Sequence, residues 1–110
     1  MCGITGYIAN DKLPLTKMVS SLQHRGPDAF GEYETVINNQ HIGLGHSRLS
    51  ILDLSEKGNQ PFVSEDKKIH LVYNGEIYNF PELKAAYLKN ENFKSETDTE
   101  VILKLYQQKG

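Results

Sequence analysis

The sequence predicts an α+β fold, an antiparallel sheet covered by helices. Two observations carry that prediction: short strand-like runs are separated by turn residues, and the elements run strands, helix, strands, helices. Gly3 to Ile8 is a short strand led by Cys2, and Asn10-Asp11 turns the chain. Leu15, Met18, Val19 and Leu22 recur at i, i+3, i+4 and i+7, an amphipathic helix beginning just after Pro14. The stretch HRGPD, His24 to Asp28, breaks it. Phe30 to Ile37 alternates as a strand, Asn38-Asn39 turns, and His41 to Ser47 returns as its partner. Ser50 to Leu54 is a further short apolar stretch and Glu56 to Gln60 a polar loop. Ile69 to Tyr73 reads as a buried strand running into Asn74-Gly75. Pro81 suits the first turn of a helix PELKAAYLK. Thr97-x-x-Glu100 has capping-box form ahead of Val101, Ile102 and Leu105, a final helix. There are no repeats, linkers or low-complexity tracts, and the last helix stops at QQKG with nothing beyond it to pack on.

One domain is all that 110 residues supply, and at that length folding hides roughly two thirds of the unfolded surface. The 12 basic and 14 acidic residues give a net charge of −2, which leaves no electrostatic footprint for nucleic acid or anionic lipid. At 38% apolar and 24% charged, the composition excludes a disordered tail and a membrane protein. No run nears the ~20 residues of a membrane span, and no signal-peptide pattern opens the chain. A single cysteine forms no internal disulfide, and the expected location is cytoplasmic. Ten of the twelve basic residues are lysines, so the only arginines, Arg25 and Arg48, stand out for tasks that need a planar, multi-donor head.

Cys2 reads either as a small buried hydrophobe or, at this position, as a nucleophile. If Met1 is cleaved, thiol and α-amine share one residue, and an amine of pKa about 7.7–8.0 is a fitting base for a thiol of about 8.5. Arg48, in GLGHSRLSI, reads as a surface ion pair or as a bidentate clamp for a substrate carboxylate, with apolar Leu44, Leu49, Ile51 and Leu52 sheltering it and the backbone of Leu49 to Leu52 adding donors and acceptors. Asn74-Gly75-Glu76 reads as a type I′ hairpin turn or as a carboxamide and glycine N–H side by side, the material of an oxyanion hole. Asp98, within SETDT, serves as first-turn charge or as acceptor for a substrate ammonium, with Thr97 capping and both roles compatible. Arg25, Gly26 and Asp28 read as scaffold near the site, with Arg25 and Asp28 able to pair across the loop. His24, His41, His46 and His70 lack metal-ligand spacing, GLGHSR lacks a phosphate-loop pattern, and Tyr73 and Tyr78 read as core or loop aromatics. No metal or cofactor is predicted. Together the candidates describe one pocket for a free α-amino acid undergoing acyl transfer at its side chain.

The start MCGI, then HRGPD, GHSRLSI, NGEIYN and SETDTEVI, in this order and spacing, resembles the glutaminase domain of class II glutamine amidotransferases, nearest the glutamine-hydrolysing asparagine synthetase branch. The resemblance covers essentially all 110 residues. It implies an N-terminal-nucleophile (Ntn) hydrolase fold, a four-layer αββα sandwich with antiparallel sheets, of which residues 1–110 form the N-terminal portion. It implies that Cys2, freed of Met1, attacks the glutamine side-chain amide, releases ammonia and forms a glutamyl thioester. By motif match, Arg48 with Leu49, Ser50, Ile51 and Leu52 would hold the α-carboxylate. Asn74 and the Gly75 N–H would form the oxyanion hole, Glu76 would line the glutamine site, and Asp98 would take the α-ammonium.

Two departures from the family pattern follow. Family domains continue beyond position 110 and are joined in synthetases to a separate domain, where ATP and magnesium are expected; both are absent from this sequence. With Met1 retained, Cys2 would carry an amide in place of its base, and turnover would be very poor. Exposed sheet edges would invite pairing with a second copy. L-Glutamine is the expected small-molecule partner, with aspartate as the ultimate ammonia acceptor. The competing expectations are a non-catalytic glutamine-binding or truncated interaction module, a structural fragment awaiting its complement, and a domain serving a sugar acceptor.

Overall fold

Asn38 and Asn39 adopt left-handed conformations (φ 52° and 63°), the geometry a two-residue hairpin turn requires, so the chain reverses there with minimal loop. The computed structural model, which describes residues 2–50 and 55–110, joins β2 (Ala29–Ile37) to β3 (Gln40–Arg48) through this turn, with Ile37 opposite Gln40 and Ala29 opposite Arg48. β1 (Gly3–Ala9) pairs antiparallel to the other side of β3, Gly3 opposite Ser47, giving the order β1-β3-β2. β3 is therefore central, and its end, His46 to Arg48, is buried.

The helix α1 (Leu15–Ser20) covers one face. Gly45 on β3 has no side chain, and the space beside it is filled by Val19, Thr5 and Leu15. Leu15 and Val19 are among the most buried apolar residues, which is the outcome of their helical spacing. On the opposite face lies a two-stranded sheet, β4 (Phe62–Val63) and β5 (His70–Leu71). The Gln60–Pro61 segment crosses directly over Gly31 of β2, where any Cβ would strike the Gln60 carbonyl, and the His70 ring stacks on Tyr33 at 3.6 Å. α2 (Phe80–Tyr87), with Pro81 in its first turn, ends at buried Leu88 and packs against α3 (Asp98–Lys109), which buries Val101 and Leu103. The α+β architecture with antiparallel sheets is thus as the sequence predicts. No described helix is long and apolar enough to cross a membrane.

Three expectations need correction. The strand expected over Ile69 to Tyr73 pairs only at His70–Leu71 and is half-buried, because β4 is itself two residues long. Of the two readings of Asn74-Gly75 it is the loop that holds, the chain running from it irregularly into α2. Thr97 is the residue before α3, yet its side chain makes no capping bond to the helix. Among the described residues, Asp28 does not pair with Arg25. Its carboxylate accepts the Ser50 N–H at 2.7 Å, and its own N–H donates to the Arg48 carbonyl at 2.9 Å.

Candidate functional site

β3 delivers Arg48 at its last residue, already buried, and the chain then passes Cys2 as Leu49. The Leu49 N–H donates to the Cys2 Sγ at 3.3 Å, and the thiol faces the Leu49 carbonyl at 3.6 Å. β1 and β3 are paired up to Gly3 and Ser47, so sheet register alone brings residue 2 beside residue 49. Gly26 lets the loop after α1 lie against this strand end, since a Cβ there would meet the Ser47 carbonyl and Arg48 backbone. The Ser47 hydroxyl fastens the same loop, its one proton lying between the Gly26 and Leu22 carbonyls. Arg25 is exposed, and the contacts of Gly26 and Asp28 are with the backbone that carries Arg48.

The Arg48 guanidinium is 5% exposed. Its Nη1 donates to the Ser55 carbonyl at 2.6 Å and to Asn59 Oδ1 at 2.7 Å, and its Nη2 and Cζ lie so close to Gly58 that a Cβ there would strike them. Buried arginine heads need such multiple acceptors, and the residues flanking the short 3-10 turn Glu56–Gly58 supply them. Asp98, at the first turn of α3, is equally buried, and its Oδ2 accepts the Ile77 N–H at 2.8 Å, tying the Gly75–Glu76 loop to the helix.

These elements close around one cleft of about 60 Å³, lined by Cys2, Arg48, Leu49, Gly75, Glu76 and Asp98 together with Gly58, Gln60, Tyr73, Thr97 and Thr99. Asn74 is half-buried beside Gly75 but, like Ser50, is not in the lining; the Ser50 N–H donates to Asp28. Ile51 and Leu52 lie outside the described residues. Sequence reading missed Gly58, Gln60 and Thr99, which no motif spacing flags, and took Tyr73 for a core or loop aromatic. Burial, with the negative charges of Asp98 and Glu76, raises the Tyr73 phenol above its ordinary pKa, so a neutral hydroxyl borders the cleft. His46, 1% exposed, has its pKa lowered mainly by burial; the Tyr73 carbonyl opposes that shift and the Arg48 charge adds to it.

A thiol, a guanidinium, a buried carboxylate and backbone N–H groups in one cleft are the parts needed to hold an amino acid and attack its side chain. The glutamine amidotransferase domain family matches residues 1–110. A Methanocaldococcus jannaschii protein provisionally named asparagine synthetase [glutamine-hydrolyzing] 2 is 48% identical over 128 aligned positions, covering all of this chain and 24% of that protein. The Bacillus subtilis asparagine synthetase [glutamine-hydrolyzing] 2 is 43% identical over 119 positions, covering all of this chain and 15% of its own. Amidase chry2 of Gibberella zeae is 39% identical over 125 positions, with 18% of its length covered. The chain thus spans about a quarter or less of the length of these relatives. It belongs to the glutamine amidotransferase domain family.

Proposed function

We propose that this chain is a glutaminase module that releases ammonia from L-glutamine for amide transfer, with aspartate the acceptor and asparagine the product. The observation that carries the reading is the single cleft in which the Cys2 thiol, the Arg48 guanidinium and the Asp98 carboxylate meet. A guanidinium fork suits an α-carboxylate and a buried carboxylate suits an α-ammonium, so the two ends of a free amino acid are matched and its side chain is left for the sulfur.

In this reading Met1 is removed and the Cys2 α-amine takes the thiol proton. The sulfur attacks the side-chain amide carbon, and the oxyanion is held by the Gly75 N–H and the Asn74 carboxamide. The C–N bond breaks, ammonia leaves with the transferred proton, and water hydrolyses the thioester to glutamate. Leu49 to Leu52 border the carboxylate and Glu76 the substrate chain. This half-reaction uses no metal and no cofactor. ATP and magnesium belong to a separate synthetase domain, and the complete glutaminase domain is a four-layer αββα sandwich of which residues 1–110 are the N-terminal portion. The asparagine synthetases among the relatives support this assignment, all matched over a part of their length only.

The test uses processed, folded chain. A glutamine-shaped electrophile is expected to add once, at Cys2 by peptide mapping, and glutamine to yield ammonia and glutamate in equal amounts. Intact-mass spectra without an adduct would overturn the reading. Calorimetric glutamine binding without ammonia release would replace it with a binding module.

A further inference from the structure

We propose that His46 and Gln60 form a two-sided clamp on the backbone of Tyr73, one on the peptide before it and one on the peptide after it, and that this clamp positions the Asn74–Gly75 segment over Cys2. The inference rests on the glutaminase reading and adds two positioning residues to it. The pairing of β5 with β4 ends at Leu71 opposite Phe62, so among the described residues no ladder reaches Tyr73, although the residue borders the cleft and leads directly to Asn74. Backbone donors and acceptors withdrawn from water need partners. Here both partners are side chains. Gln60 Oε1 accepts the Tyr73 N–H at 2.6 Å, and His46 Nε2 lies 3.2 Å from the Tyr73 carbonyl. A carbonyl only accepts, so Nε2 carries the hydrogen.

Each arm of the clamp is fixed to an element that holds another part of the site. His46 is on β3, two residues before Arg48, and is 1% exposed. Gln60 is 8% exposed, and its Nε2 donates to Thr99 Oγ1 at 3.2 Å, one residue beyond Asp98. The distance of residues 74–75 from sulfur, guanidinium and carboxylate is therefore set by the same two elements that set those groups. The cost is visible at His46 Nδ1, buried and without a partner among the described residues. Burial holds the imidazole neutral, which suits a single donor aimed at Tyr73.

The test compares wild type with His46→Leu, Gln60→Met and His46→Gln, the last keeping a donor near the Nε2 position. Amide exchange is followed by NMR, with glutamine turnover and Cys2 alkylation by iodoacetamide, a reagent that does not need an oxyanion hole. In His46→Leu and Gln60→Met, exchange at residues 73–76 is expected to speed by about tenfold, while Ile42 to Gly45 on β3 keep their protection. The kcat is expected to fall about 10- to 100-fold, with KM moving less than about threefold, because the donors are displaced from the oxyanion, not from the amino-acid ends. Alkylation stays at the wild-type rate, and His46→Gln recovers most of both losses. Unchanged exchange at Tyr73 overturns the clamp, as does altered exchange with unchanged kcat. Equal loosening of β3, together with slowed alkylation, reduces both residues to packing and also overturns it. Should His46→Leu fail to fold, Gln60→Met carries the same test. If wild type neither turns over glutamine nor gains an adduct, the glutaminase reading fails separately, and local exchange still decides whether the clamp exists.

Discussion

Gly58 owes its importance to a side chain ten residues away. The Arg48 head is held from one side by the Ser55 carbonyl and Asn59, and a Cβ at position 58 would fall on its other nitrogen and its central carbon. The guanidinium cannot retreat without breaking two short charge-assisted bonds. Gly58→Ala is therefore expected to raise the KM for glutamine by about 10- to 100-fold, the effect of one lost or misaligned bond to a charged group, with kcat at saturation less affected. Steady-state ammonia release checks this, and an unchanged KM would remove Arg48 from the carboxylate clamp. At this scale the sequence is legible where a residue is unusual by itself. Arg48 is one of two arginines among ten lysines, and Cys2 is the only cysteine. Gly58, Gln60 and Thr99 are ordinary residues in a loop and a helix turn. Their roles exist only once folding has brought Arg48, Tyr73 and Asp98 beside them.

The start of α3 is where local pattern and tertiary structure part company. A capping box would have Thr97 accept the N–H of residue 100 and Glu100 reach back to residue 97. Instead Glu100, 1% exposed, reaches further: Oε1 accepts from Ser95 N–H at 2.7 Å and from the Ser95 hydroxyl at 2.7 Å, and Oε2 accepts from Lys94 N–H at 2.8 Å. Among the described residues the Thr97 hydroxyl meets that of Ser95, at 3.0 Å, and not a helix N–H. The carboxylate thus folds residues 94–97 into a hook that leaves Asp98 facing the cleft. Glu100→Ala is expected to destabilise by about 2–4 kcal/mol, since it strands buried donors from a charged acceptor, and Thr97→Ala by under about 1 kcal/mol. Urea denaturation of both variants measures the difference; equal losses would return the cap to Thr97. The motif located the helix correctly because acids in a first turn are favourable whichever donors they meet. It misassigned the donors because those depend on how the preceding loop packs. The same distinction governs the two Asn-containing turns. Asn38-Asn39 reverses the chain between long strands that can pair, whereas Asn74-Gly75 lies beyond a two-residue strand, where the chain stays irregular and Gly75 joins the cleft lining.

For the whole molecule, the α+β class and antiparallel pairing follow from the order of elements, but not how fully the layers cover one another. The radius of gyration is 14.6 Å, against about 13 Å for a compact chain of this length. The accessible area of 7076 Å² exceeds the roughly 6,100 Å² of a typical folded monomer of 12.4 kDa. That excess of roughly 1,000 Å² is comparable with one partner's share of a standard interface, about 800 Å². Part of it is apolar. On β1, Ile4 and Ile8 are 46% and 69% exposed, on the face that β4 and β5 cover at the Tyr33 side of the sheet. Among the described residues β1 is also an edge strand, its outer backbone a template for another chain. The isolated chain is accordingly expected to self-associate as its concentration rises from about 5 to about 200 µM, a range in which weak apolar contacts of this size operate. Ile8→Lys places a charge on the exposed face and at the edge, which should keep the chain monomeric across that range. Residue 8 is six strand positions from Cys2, about 20 Å at 3.3 Å per residue, so glutamine turnover per chain should not change. Sedimentation velocity on both proteins decides the matter. A wild type that stays monomeric throughout would mean the uncovered face is tolerated in water, and an Ile8→Lys variant that still associates would move the contact to another surface.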